Sequence, residues 1–206
     1  GFTPQLGERL EAAQQEAQTK HLGIWSEKLP KPTVHLLTDV PADVYGSGRK
    51  VPAIVEKVQN GDRVILRAMF RDDEHFVGPA FLGGIRTRPS TTATGTDGTA
   101  STLSAAAVSA VEARLLQREV RAIFHAPHNT GHPLVTLVHP HGDIAQLLVC
   151  LGLAEVQQTP QIGSENVLAL RNAQQDAMTK GVGMWKAAAL QKQAQSQQFA
   201  HLPKEG

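Results

Sequence analysis

Two stretches of this chain read almost alike: AAQQEAQTKHLGIW at residues 12–25 and NAQQDAMTKGVGMW at residues 172–185. The offset is a constant 160 residues, and the chain's two tryptophans, Trp25 and Trp185, close the two copies. Each copy has helical spacing, through Leu10, Ala13 and Ala17 in the first and Leu170, Ala173 and Ala177 in the second. Each has a lysine in its last turn, then a glycine (Gly23, Gly183) where a helix would stop, then Ile-Trp or Met-Trp to anchor the end. A repeated terminator implies a repeated module. The first copy therefore reads as the closing helix of one module, and the second as the closing helix of a complete module between them. The chain opens on Gly1, so it is read as an excised fragment.

Between the copies the pattern changes several times. Residues 26–50 are rich in Pro, Gly and Asp and read as a linker, with one short strand at Val34 to Leu37. VPAIVEKVQ and RVILRAMF then flank Asn60-Gly61, a strong hairpin signal. HFVGPAFLGGI, His75 to Ile85, gives a third strand. RPSTTATGTDGTAST reads as a mobile Ser/Thr/Gly loop, and LSAAAVSAVEARLLQR as a helix. EVRAIFHA and PLVTLVHP are two more strands. Asp143 is placed to cap a helix, IAQLLVCLG, that ends at Gly152. Three strands, a helix, two strands and two helices are compatible with a small five-stranded Greek-key barrel.

Composition narrows the function. With 41% hydrophobic and 19% charged residues the chain is an ordinary globular one, and no apolar run approaches the roughly 20 residues that span a bilayer. One cysteine excludes an internal disulfide framework and fits a reducing compartment; Cys150, inside LLVCLG, reads as a small core residue. A net charge of +1 gives no global attraction to nucleic acid, so any such site must be a local patch. Candidates are Arg63, Arg67 and Arg71, spaced to share one strand face opposite Val64, Leu66 and Ala68. Arg86 and Arg88 follow the third strand, and Arg114 and Arg118 lie one helical turn apart. The competing reading is solvated surface charge balanced by Asp72, Asp73, Glu74 and Glu112. His125, His128, His132, His139 and His141 cluster in sequence but match no established zinc pattern. GSGRK at 46–50 lacks the spacing of a phosphate loop.

Five blocks in register, VEKVQNGDRVIL, FLGGIRTRP, EARLLQREV, GDIAQLLVCLGLAEV and AQQDAMTKGVGMW, resemble the landmarks of staphylococcal-nuclease-like domains. The Gly-Ile-Arg after the third strand and the tandem arrangement are similar to the Tudor staphylococcal nuclease (Tudor-SN) family. The resemblance implies an α+β fold: an OB-fold five-stranded β-barrel with three helices, preceded by the terminal helix of another such module. The implied divisions are 1–25 for that preceding helix, 26–50 for the linker, 51–186 for the barrel domain and 187–206 for a connector.

The family's chemistry needs a calcium ion held by carboxylates and two arginines bracing the phosphate, because Ca²⁺ takes about 6–8 oxygen ligands and developing phosphoryl charge wants fixed cations. By resemblance, Asp62 matches the first metal aspartate. The second metal carboxylate falls at Arg86, the water-activating glutamate at Pro89, and the two phosphate arginines at Phe81 and His132. The resemblance thus implies a catalytically degenerate module with no cofactor, Asp62 serving as a turn residue. Its implied role is RNA binding through the phosphate backbone, as a scaffold unit in silencing complexes, RNA turnover and transcriptional coactivation. Neighbouring modules and protein partners would assist it, in cytoplasm and nucleus and away from membranes. Two alternatives stand: a calcium-dependent nuclease completed by neighbouring modules, and a purely protein-interacting module.

Overall fold

The structure, a computed structural model, describes residues 4–26, 31–88 and 98–186. It divides into two compact units, Gly1–Thr33 and Val34–Gly206. The first carries helix α1 (Pro4–Thr19) and a 3₁₀ turn, Gly23–Trp25. The expected loop RPSTTATGTDGTAST, residues 88–102, lies outside the described residues over 89–97, and its last five residues open a helix instead. The connector at 187–206 also lies outside the described residues.

The second unit is built on nine strands and three helices among the described residues. β1 (Thr33–Leu36) leads through two 3₁₀ turns to β2 (Lys50–Asn60), β3 (Arg63–Arg71), β4 (Glu74–Leu82) and β5 (Ile85–Thr87). Helix α2 (Gly98–Leu115) precedes β6 (Glu119–Pro127), β7 (Pro133–His139) and β8 (Gly142–Asp143). Helix α3 (Ile144–Cys150), β9 (Ala154–Val156), helix α4 (Ser164–Lys180) and a 3₁₀ turn, Gly183–Trp185, complete it. The main sheet runs β1-β4-β3-β2-β6-β7-β8, and a parallel β4–β7 pairing closes strands β4, β3, β2, β6 and β7 into a barrel. These are the five strands expected from the sequence.

Alternation fills the barrel. Val64, Leu66 and Ala68 of β3 point inward and are fully buried, as are Val51, Ala53 and Val55 of β2. A β-bulge between Val55 and Lys57 then breaks the period, so that Val58 rather than Lys57 turns inward. Ser104, Ala107, Val111 and Leu115 form the buried stripe of α2, which lies against β2. Asp143 caps α3 as expected, its side chain accepting from Ala145 N at 2.8 Å.

Four expectations need correction. The linker 26–50 is too long: from Val34 onward it belongs to the barrel unit, where Leu37, Val40 and Val44 are buried in the core. Prolines and a 3₁₀ conformation disguise Val40 and Val44 as loop, while Leu37, read as the end of a short strand, opens the first 3₁₀ turn. The third strand does not run to Ile85 but breaks at Gly83-Gly84, and β5 leaves to pair with β9. Cys150 is exposed, because α3 buries Ile144, Ala145, Leu148 and Val149 and the next position points away. The repeated helices end before the glycines named above. The left-handed residue is His21 (φ 49°) after α1 and Gly181 (φ 61°) after α4. In each copy the next residue's N–H reaches back to an alanine carbonyl, Leu22 to Ala17 at 2.9 Å and Val182 to Ala177 at 3.1 Å.

Gly183 (φ 55°) instead permits a close backbone approach: Met184 N–H donates to Gly152 O at 3.0 Å, and a Cβ on Gly152 (φ 63°) would collide with Val182 O. Gly152→Ala should therefore cost about 1–3 kcal/mol of overpacking on top of about 1 kcal/mol for the left-handed backbone. Gly131→Ala (φ 81°, nothing within 4 Å) should show only the second cost. Urea denaturation of the two variants checks the difference.

Candidate nucleic-acid interface

The β2–β3 turn is Gly61-Asp62, and it lies under α2 and β5. A Cβ on Gly61 would stand 2.6 Å from Ala107 Cβ and 2.7 Å from Thr87 Cγ2, so glycine is required by close approach. Asn60 Oδ1 accepts from Asp62 N at 3.1 Å. The Asp62 carboxylate then accepts the Thr87 N–H at 2.8 Å, and its carbonyl accepts the Leu82 N–H at 2.8 Å. Asp62 thus sits in the turn and also ties β5 to the barrel, an anchoring contact that the sequence did not announce.

β5 is aimed by the Gly83-Gly84 turn. Gly84 has φ 79°, and a Cβ there would meet Ile162 Cδ1 at 2.6 Å. The strand pairs with β9 in the register Arg86↔Glu155, leaving Arg86 and Arg88 exposed and Thr87 buried. Across the barrel wall Phe81 pairs with Arg63, whose guanidinium sits 5.1 Å from the ring centroid. Phe81 also stacks on His128 (4.8 Å, 29°) and lies 6.1 Å from the His132 ring. The β6–β7 loop presents these histidines through a His128 N–H to His132 O bond of 2.7 Å.

Asp62, Phe81, Arg86, His128, Leu134 and Gln157, with Leu82 and Ile85, line a cavity of about 300 Å³. The structure therefore brings together three of the five family site positions, Asp62, Phe81 and Arg86, and sets His132 beside Phe81. Pro89 lies outside the described residues. The donor set does not fit a calcium ion. Among the described residues Asp62 is the one carboxylate in the lining and already accepts a backbone N–H, while a guanidinium stands at the second carboxylate's position.

The expected arginine stripe of β3 is broken: Arg63 and Arg67 share a face, but a register shift between Met69 and Arg71 takes Arg71 out of it, and the three side chains are not equally available. Arg63 is half-buried over Phe81. Arg67 is paired with Glu56 at 2.5 Å, with its guanidinium 3.5 Å from His75 Nδ1. Arg71 alone of the three is exposed. Arg114 and Arg118 are exposed elsewhere, Arg114 lining a separate hollow with His139 and His141. His125 is a satisfied core histidine, bonded to Thr136 Oγ1 at 2.8 Å, and burial lowers its pKa. Among the described residues no three His, Cys, Asp or Glu side chains converge on a metal-sized site. Sequence reasoning missed His128 and Gln157 as cavity walls. Gln157 arrives only because its N–H donates to Gly84 O at 2.9 Å, a bond with no local signal.

A closed five-stranded barrel with α2, α3 and α4 on its outside, and a cavity where the β2–β3 turn, β4, β5 and β7 meet, defines an OB-fold domain of the staphylococcal-nuclease type. No family model matches the chain. It is 33% identical, over 191 aligned residues covering 86% of this chain, to staphylococcal nuclease domain-containing protein 1 of Schizosaccharomyces pombe. The chain belongs to that Tudor-SN family, as a staphylococcal-nuclease-like domain. It spans 21% of that relative's length. No helix among the described residues is long and apolar enough to cross a membrane.

Asp62→Ala removes the acceptor of a half-buried N–H and should cost about 1–3 kcal/mol. Asp62→Asn keeps an oxygen acceptor and should recover most of it. Thermal unfolding of both variants, with and without Ca²⁺, should show the same ranking and no calcium-dependent shift in the parent.

Proposed function

We propose that this domain is a catalytically degenerate staphylococcal-nuclease-like module that binds RNA through its phosphate backbone. The observation that carries the reading is the lining of the cavity between Asp62 and Arg86. A guanidinium and an aromatic ring occupy the positions where hydrolysis needs a second carboxylate and a phosphate-bracing arginine. Arg86 at the mouth, with Arg88 beyond it, offers bidentate donors to a phosphodiester. Phe81, backed by Arg63 and stacked on His128, offers an apolar wall rather than a catalytic group. With a single carboxylate there is no base paired with a metal to activate water.

In the parent protein such a module acts as one RNA-contacting unit of a tandem scaffold. It requires no cofactor and works beside neighbouring modules and protein partners in silencing, RNA turnover and transcriptional coactivation, in cytoplasm and nucleus. The composite-nuclease alternative keeps one supporting observation, that Asp62 does line the cavity. It requires a partner module to supply carboxylates against the field of Arg86.

The test is RNA binding over a salt series, with and without Ca²⁺. The log–log salt slope should fall by about 0.7 in Arg86→Ala, the equivalent of one single-strand phosphate, and the RNA should stay intact in calcium. Calcium-dependent cleavage abolished by Asp62→Ala would overturn the proposal in favour of the nuclease. Salt-independent or absent RNA binding would leave the protein-interaction reading.

A further inference from the structure

Away from the cavity, the end of α2 and the β7–β8 hairpin bring Arg114, His139 and His141 around one hollow, with Arg118 outside its lining but near enough for its field to reach His139. Arg114 lies in the last turn of α2, and Arg118 follows just beyond it. Arg114, His139, His141 and Asp143 line a small hollow of about 30 Å³. The two imidazole centroids are 5.1 Å apart at 39°, and the His141 N–H donates to His139 Nδ1 at 3.3 Å. The helix exit is fixed to the barrel through Gln117. Its left-handed backbone (φ 56°) donates to Val55 O at 2.8 Å, and its Nε2 donates to Glu56 O at 2.9 Å. Both arginines are thus carried on a braced segment.

The cationic charge here is only partly offset. Asp143, the carboxylate of the hollow, is occupied in capping α3 through Ala145 N at 2.8 Å, and burial raises its pKa against that bond. On β6, which pairs with β7, Glu119 is matched to Arg121 at 3.4 Å. No ion pair involves Arg114 or Arg118 among the described residues. Partial desolvation lowers the pKa of His139, and the fields of His141, Arg118 and Arg114 lower it further. An anion seated among these groups cancels the cationic part of that shift, so anion binding and proton uptake reinforce each other.

We propose that Arg114, Arg118, His139 and His141 form a second phosphodiester-binding site for RNA, separate from the cavity and tighter at lower pH. The hollow is about one water in size, too small for a base but sufficient for a phosphate oxygen. All four side chains present N–H donors, and among the described residues no uncommitted carboxylate lines the hollow. The site rests on the RNA-binding reading above but uses none of the cavity residues.

Binding of the full chain to a short oligouridylate should tighten about threefold or more between about pH 8 and about pH 5.5, since proton uptake at His139 adds one exposed charge pair with the phosphate. The His139→Gln/His141→Gln double variant should lose that rise, while His21→Gln, in the other unit, keeps it. Arg114→Gln/Arg118→Gln should lower the salt slope at both pH values by about 0.7 for each phosphate no longer neutralised. A pH response undiminished in His139→Gln/His141→Gln overturns this site and leaves the cavity reading standing. A salt slope unchanged in the arginine double variant does the same. Absence of RNA binding at both pH values overturns the two together.

Discussion

The parallel pairing of β4 with β7, through Phe81↔Leu134 and Leu82↔Val135, is the interaction on which the rest depends. Without it the chain is an open sheet with two raw edges. With it, β4, β3, β2, β6 and β7 enclose a core in which Leu66, Leu82, Phe124, Val135 and Leu137 are almost wholly buried. The same pairing builds the cavity. It sets Phe81 against the β6–β7 loop that carries His128 and His132, and it places Leu134 in the wall. The next peptide extends the closure, Gly83 N–H donating to Val135 O at 2.9 Å. Gly83-Gly84 can then turn β5 away beneath Ile162, which puts Arg86 at the mouth. Barrel closure and site assembly are one event.

That dependence explains which parts of the molecule are legible in sequence. Whatever is encoded within about a dozen residues can be read: most of the alternation of β3, the Asn60-Gly61 turn, the Asp143 cap and the existence of the repeated helix, though not the residue at which each copy stops. The turn is right in place, but its glycine answers to Ala107 and Thr87 rather than to a left-handed backbone. Closure itself is invisible to periodicity, since it joins residues more than fifty positions apart. The β5–β9 pair and the burial of Leu37, Val40 and Val44 fail to show for the same reason. Asp62, Phe81 and Arg86, which the resemblance and not any local pattern had grouped, line one cavity, while His132 stands beside Phe81. His128 and Gln157 join that wall only through the fold.

Charge was the least legible property, because a sequence displays arginines and not their engagements. Arg63, Arg67 and Arg71 have identical spacing credentials, yet one lies over a ring, one is held by Glu56 and one is exposed. A guanidinium already committed to a half-buried carboxylate contributes little to a passing phosphate, since the pair must first be separated. The cationic surface is therefore better described by Arg71, Arg86, Arg88, Arg114 and Arg118 than by the strand stripe. It is divided between different elements of the barrel, which suits several weak phosphate interactions along a backbone more than one deep anion pocket.

The repeated terminator has a physical meaning beyond the marking of module ends. In both copies a threonine back-bonds to the carbonyl four residues earlier, Thr19 to Gln15 at 2.8 Å and Thr179 to Gln175 at 2.9 Å. Both copies then enter the left-handed region twice, at His21 and Gly23 and at Gly181 and Gly183. The 3₁₀ turn with its tryptophan follows, closed by Trp25 N to Leu22 O at 3.1 Å and Trp185 N to Val182 O at 3.0 Å. The backbone program is thus fully local and runs identically in both places. What differs is the use made of the apolar stripe. Leu170, Ala173 and Ala177 are buried on α4, whereas their counterpart Leu10 on α1 is 53% exposed. The likeness of the stripe in the two copies is therefore not explained by what the helix needs in order to form. It is explained by what the helix needs in order to dock: at the end of α4 the Gly152 turn of the barrel lies against the chain, Met184 N–H donating to Gly152 O.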